Sequence, residues 1–301
     1  MNRNPSEMQI STENLKEFKG RSLAQETWHR LLKNKGAVVG MIFMVLLIVV
    51  TFLAAFLYDY KTDITGMNAA GGFQAPSWQN IFGTDAYGRD IFARIIYGAR
   101  YSLLIGVGSV LIGLVVGIIL GSLAGFYGGL IDNLVMRAND ILYAIPNIMI
   151  AVVVVSVLGT SPVTLLLALC ISSASSFARI TRAAVMTIRG QEYVESAFAM
   201  GLPTWKVILR HIIPNCLSPI IVQVTLAIGN NIISASSLSF LGVGIAPPMP
   251  EWGAMLSDGR QYIRSYPWMC IFPGLAIMVT VLALNLMGDG LRDALDPKLK
   301  R

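Results

Sequence analysis

Six apolar runs alternate with polar connections along the chain, and their lengths decide the architecture. They cover roughly residues 36–58, 101–125, 141–158, 162–178, 217–240 and 268–287. At 1.5 Å rise per residue, about 20 helical residues match the ~30 Å hydrocarbon core of a bilayer. The pattern predicts an all-α integral membrane protein of six transmembrane helices. A polar tail over residues 1–35 precedes the membrane domain of residues 36–288, and residues 289–301 form a second tail.

Two polar stretches keep a helical period. Residues 22–35 (SLAQETWHRLLKNK) space Leu31 and Leu32 against charges, predicting an amphipathic helix on the membrane face with Trp28 at the headgroups. Residues 192–215 (EYVESAFAMGLPTWKVILRHIIPN) form a polar insert between the fourth and fifth runs. Glu192 and Glu195 suit the start of a short helix, and Ser196, Ala197 and Ala199 keep its surface small. Gly201 is suited to ending that helix and Pro203 to starting a second one, which runs to Pro214. The expected product is helix, sharp turn, helix, within a loop of residues 190–214.

Two of the apolar runs carry patterns of their own. In the second, Gly113, Gly117, Gly121 and Gly125 recur at intervals of four, which predicts a close helix contact, within the chain or to another subunit. In the fifth, Gln223, Ala227, Asn230, Ser234 and Ser237 share one helical face, with Asn231 beside them. Two readings of that face stand open: interhelical hydrogen bonding, or the lining of a pathway for a polar solute.

Composition agrees with the membrane reading. The chain is 54% hydrophobic and 13% charged, where a soluble domain is about 25% charged. The net charge of +6 is carried by residues flanking the runs, without basic stripes interleaved with aromatics, so the bilayer and not nucleic acid is the expected partner. Lys and Arg divide seventeen to six between the two sides, which places both termini and the insert in the cytoplasm. The first 35 residues do not resemble a signal peptide, and the first run is expected to stay as an anchor. Cys170, Cys216 and Cys270 read as packing residues.

Several chemistries find no support. There is no G-x-x-x-x-G-K-[ST] phosphate loop, no H-E-x-x-H and no G-x-S-x-G, and His29 and His211 lie far apart. No metal ligands, cofactor or enzymatic activity are expected in this chain. The centres of the runs hold almost no ionisable residues, which disfavours an ion-coupled secondary transporter. An energy source outside this chain is the economical alternative.

The insert also carries a resemblance. Glu195-Ser196-Ala197, Gly201 and Ile213-Pro214 are similar to the E-A-A…G…I-x-L-P loop of bacterial ABC importer permeases, with Ser196 in place of alanine and His211 in place of isoleucine. FGTDAYGRDIFARIIYGARYSLLIG, SFLGVGIAPPMPEWGAMLSDGR and GDGLRDALDPK resemble the second permease of the dipeptide, oligopeptide and nickel importers. The resemblance runs from about Arg21 to the C-terminus. It implies a multi-pass protein of the bacterial cytoplasmic membrane that forms half of a channel with a second permease. Two cytoplasmic ATPases holding ATP and Mg would dock on the insert, and an extracytoplasmic binding protein would deliver peptide, with nickel or another small solute as the alternative. Gly83, Asp85, Arg89, Asp90, Pro247, Pro248 and Trp252 read first as turn-forming loops and, through the resemblance, as surfaces facing the binding protein.

Overall fold

The computed structural model describes residues 23–295; most of the N-terminal tail and residues 296–301 lie outside the described residues. Among the described residues the chain is helical apart from turns and one bridge between Thr84 and Asp90. Among the described residues five helices are long and apolar enough to cross a membrane, or six if one bent helix pair is counted as a single span.

Helix α1 (Leu23–Lys33) occupies the predicted amphipathic segment. Its Leu31 packs with Ala37 and Ala294, so it is tied to the bundle, while Trp28 stays 57% exposed. Helix α2 (Lys35–Leu57) starts where the Asn34 side chain accepts a hydrogen bond from the Ala37 amide at 3.1 Å. Asn34 also donates to Asp293 at 3.4 Å, which places the two ends of the described chain at one end of the bundle, called here the terminal end.

Helix α3 (Ile91–Tyr127) begins well before the apolar run, with Asp90 accepting from the Ala93 amide at 2.8 Å. This polar first stretch is helical because its cations find partners: Arg94 is buried and donates to the Ile64 carbonyl at 2.8 Å.

The third expected span is not a straight helix. Helix α4 (Gly129–Ala144) and helix α5 (Asn147–Leu158) meet at 89°. Pro146 lacks an amide hydrogen and pushes Ile145 into extended backbone, with φ −97° and ψ 127°. Twelve residues of α5 rise only about 18 Å, too short to cross a bilayer alone.

Helix α6 (Pro162–Ile188) opens with a Ser161 cap and Pro162 in its first turn, and extends ten residues past the apolar run through Arg179 and Arg182. The two arginines remain in a helix because both pair with α4, Arg179 with Asp140 at 3.1 Å and Arg182 through both nitrogens with Asp132. After α6 come helix α7 (Glu192–Ala199), a single turn α8 (Thr204–Val207) and a π-helical turn over Ile208–Ile212. Helix α9 (Ile213–Phe240) continues them without a break.

The second helix of the insert and the fifth span are thus one rod over Thr204–Phe240, not two elements. The wide π turn accommodates Pro214, which has no amide hydrogen to return to residue 210. A buried helix α10 (Trp252–Gly259) and the last span, α11 (Trp268–Leu295), complete the chain.

The most extensive contact joins α3 to α6 along the glycine seam. A Cβ added to Gly113 would meet the Ser173 Cβ at 2.5 Å, and one on Gly117 the Phe177 Cβ at 2.4 Å. A Cβ added to Gly121 would meet the Ala178 carbonyl oxygen at 2.4 Å, and one on Gly125 the Arg182 carbonyl oxygen at 2.8 Å. Of the two partners left open by the sequence, the one realised is within the chain.

Candidate functional site

The insert forms an exposed helical projection at the terminal end. Val194 and Ala197 of α7 are buried, whereas Glu192, Glu195, Ser196 and Ala199 are exposed. Ala197 is small because it packs inward, not because it seats in a partner. The end of α7 is a Schellman turn: Gly201 N–H donates to the Phe198 carbonyl at 2.8 Å and Leu202 N–H to the Ala197 carbonyl at 3.3 Å. Gly201 has φ +80°, backbone that side chains other than glycine and asparagine seldom adopt. Pro203 sits at the N-cap of α8 with φ −67°. Ile213 is half-buried and Pro214 exposed where α9 begins.

One hydrophobic core joins this projection to the spans. Val194, Ala197, Val207 and Ile212 pack in the same cluster as Val110 of α3, Phe177 and Val185 of α6, and Cys216 and Ile220 of α9. The outward side of the projection stays apolar as well, with Tyr193, Phe198, Met200 and Trp205 exposed.

A polar cavity of about 140 Å³ lies between α4–α5, α6 and α9. Gln223, Ala227, Asn230 and Asn231 line it, opposite Ser172, Ser173, Ser175 and Ser176 of α6 and beside Tyr143 and Asn147. Ser234 is half-buried outside this lining, and Ser237 borders a different, mostly apolar groove between α9 and α11. The polar face therefore divides between two places.

Asn231 also serves the interhelical reading, donating to Ser109 Oγ at 2.7 Å and Ser173 Oγ at 2.9 Å. Asn231→Leu is expected to cost about 1–2 kcal/mol by removing both bonds and taking from the buried Ser173 hydroxyl its Asn231 partner, while Ser109 keeps its bond to the Ile105 carbonyl. Thermal unfolding of the detergent-solubilised protein measures this.

At the opposite end, the outer loops are largely self-contained. Asp85 accepts hydrogen bonds from the Tyr87 amide at 2.9 Å and the Arg89 amide at 3.0 Å, and from Arg89 Nε at 2.6 Å. Arg89 also lies 3.5 Å from Asp258, whose carboxyl is held above the usual range by burial. Trp252 is fully buried and donates to the Ile95 carbonyl at 2.9 Å, and Glu251 caps α10 by accepting from the Ala254 amide at 2.9 Å.

Asp85, Arg89 and Trp252 are thus corrected from partner-facing to structural, because burial leaves no surface for a partner to touch. Gly83 is buried in a turn at φ +74°, and Asp90 caps α3. Pro247 and Pro248 remain exposed, and so does Trp78, which stands in the polar stretch PSWQN where no periodic pattern singles it out. The serines of α6 carry a signal of their own, ISSASSF setting four hydroxyls within five residues.

The chain is similar to known proteins over almost its whole length. A family described as the binding-protein-dependent transport system inner membrane component matches residues 117–301, and the N-terminal TM domain of oligopeptide transport permease C matches residues 22–76. The dipeptide transport system permease protein DppC of Alkalihalophilus pseudofirmus is 46% identical over 276 residues, 92% of this chain and 90% of that protein. The glutathione transport system permease protein GsiD of Pectobacterium atrosepticum is 45% identical over 280 residues, 92% of this chain and 91% of that protein. A solved structure of the MetNI methionine ABC transporter matches with a TM-score of 0.56 at 18% identity, covering 67% of this chain and 96% of that one, which supports the fold alone. With its spanning helices, these matches establish that the chain belongs to the dipeptide/oligopeptide-type permeases of ABC importers, multi-pass proteins of the inner membrane.

Proposed function

We propose that this chain is the permease subunit of an ATP-driven importer of small peptides, forming half of a channel with a second permease. The observation that carries the coupling role is the shared core of α7, α6 and α9. A subunit gripping α7 moves the spans with it, because packed helices shift as rigid bodies. The exposed apolar rim of Tyr193, Phe198, Met200 and Trp205 fits a protein groove, and the exposed Glu192 and Glu195 suit its polar edge. Two cytoplasmic ATPases are the expected occupants, one for each permease, and they bring ATP and Mg to a chain without a phosphate loop of its own. The excess of Lys and Arg supports a cytoplasmic terminal end.

The cavity between α6 and α9 is assigned to the solute pathway. Its amides and hydroxyls can satisfy a peptide without holding it as a fixed charge would. The two permease relatives described above are named for a dipeptide and for glutathione, both peptides, which favours peptide over nickel. An extracytoplasmic binding protein is assigned to the exposed outer segments around Trp78 and Pro247-Pro248.

Reconstitution into vesicles tests the reading. The chain with its second permease, ATPases and binding protein is expected to take up a labelled dipeptide only with ATP. Uptake by this chain alone, driven by an ion gradient, overturns it.

A further inference from the structure

The proposed pathway is neutral where it lies deepest, yet it leads to a cation. Ser172, Ser175, Ser176 and Arg179 stand at positions i, i+3, i+4 and i+7 of α6, one face of one helix. The three serines line the cavity, and Arg179 follows one turn nearer the terminal end, stacked at 4.4 Å on the Tyr143 ring that also borders the cavity. Its one ion-pair partner among the described residues is Asp140, at 3.1 Å.

The two α4–α6 ion pairs differ in kind. Arg182 holds Asp132 through two nitrogens, with side chains only 29% and 17% exposed. Arg179 holds Asp140 through one, with both side chains at least half exposed. A single exposed pair is weak and exchanges readily, whereas a bidentate one is a fixture. A second observation points into the same cavity: the Ser175 hydroxyl, on a residue 6% exposed, has no hydrogen-bond partner among the described residues. A buried hydroxyl left so is a place for a polar group to arrive.

Resting on the peptide-pathway reading above, we propose that Arg179 is the carboxylate receptor of the pathway. Asp140 keeps its place when no solute is present. A peptide leaving the cavity exchanges its carboxylate for that of Asp140 on the guanidinium while Ser175 bonds its backbone. The ligand class is a small solute with a free carboxylate, and Arg179 is a specificity-determining residue for its transit.

The test exploits an asymmetry. If the pair merely clasps α4 to α6, removing either partner has the same effect. If Arg179 receives substrate, only its own loss slows transport. In the full reconstituted assembly with saturating loaded binding protein, Arg179→Gln is expected to lower maximal dipeptide uptake about tenfold, the factor of one charge-assisted hydrogen bond. The half-saturating concentration of binding protein stays unchanged. Arg179→Lys keeps most of the rate, and Asp140→Asn equals or exceeds the unsubstituted assembly.

Equal losses for Arg179→Gln and Asp140→Asn, or no loss for Arg179→Gln, overturn this inference and leave the pathway reading standing. Absence of ATP-dependent uptake by the unsubstituted assembly overturns both. Should Arg179→Gln fail to assemble, the other two variants decide: Asp140→Asn falling below Arg179→Lys refutes the assignment.

Discussion

Gly201→Val is expected to abolish ATP-driven uptake while the protein still inserts and its bundle still forms. No clash is involved, since a Cβ at Gly201 meets nothing within 4 Å. The whole effect lies in the backbone, which holds φ +80° there. A β-branched residue at that angle costs about 1–3 kcal/mol. The two bonds of the Schellman turn offer little more than that in return. The turn therefore opens, and α7 loses its fixed angle to the rod of residues 204–240. Grading the substitutions isolates this cause. Asn, which visits left-handed backbone, should retain most transport, Ala less, and Val nearly none. ATPase copurification and dipeptide uptake are the measurements, with thermal unfolding as the check on the bundle. If Val keeps both at normal levels, the coupling role of the turn is wrong.

The parts of this molecule that were legible in the sequence are those governed by local chemistry. Glu192 and Glu195, Gly201 and Pro203 each act within a few residues of their own backbone, and the helix-turn-helix they predict is the one observed. Long apolar runs announced the spans because hydropathy needs no partner to be read. Ends of spans were a different matter. Arg94 precedes the second apolar run and Arg179 and Arg182 follow the fourth, yet all three lie inside helices, because Ile64, Asp140 and Asp132 meet them from distant parts of the chain. Asp85, Arg89 and Trp252 show the same limit. Their sequence context reads as turn-forming loops and, through the resemblance, as a partner-facing surface, and only the folded contacts reveal that they hold the loop together. The cavity was half legible: α9 shows its amides as a helical face, but the serines of α6 acquire meaning only when the two helices are brought together.

Replacing Gly117 and Gly121 together by Val is expected to prevent the membrane domain from folding, an effect on stability larger than any other proposed here. The seam between α3 and α6 is built in steps of four on both helices, with Gly113 against Ser173, Gly117 against Phe177, Gly121 against Thr181 and Gly125 against Val185. Those offsets keep constant register, so the helices run side by side in the same direction and the contact continues over several turns. At Gly117 and Gly121 a Cβ approaches backbone carbonyls at 2.8 and 2.4 Å, atoms that cannot rotate away as a side-chain tip can. Each Val thus separates the helices instead of adjusting a rotamer. Overpacking costs about 1–3 kcal/mol per site where the core yields, and a rigid backbone sets both sites at the upper end.

In lipid, little hydrophobic gain compensates for the lost contact, since the tails are as apolar as the side chains. Gly190→Ala provides the control: its Cβ meets nothing within 4 Å, and a change within about 0.5 kcal/mol is expected. Monodispersity and thermal unfolding in detergent distinguish the two. A double Val variant that unfolds like the unsubstituted protein shows that the seam is not the main support of α6. The consequence reaches function, because α6 presents the cavity serines and Arg179 on one face and packs against α7 near its end. Close glycine packing thus holds the cavity-lining helix α6 and the adjoining α7 in one register.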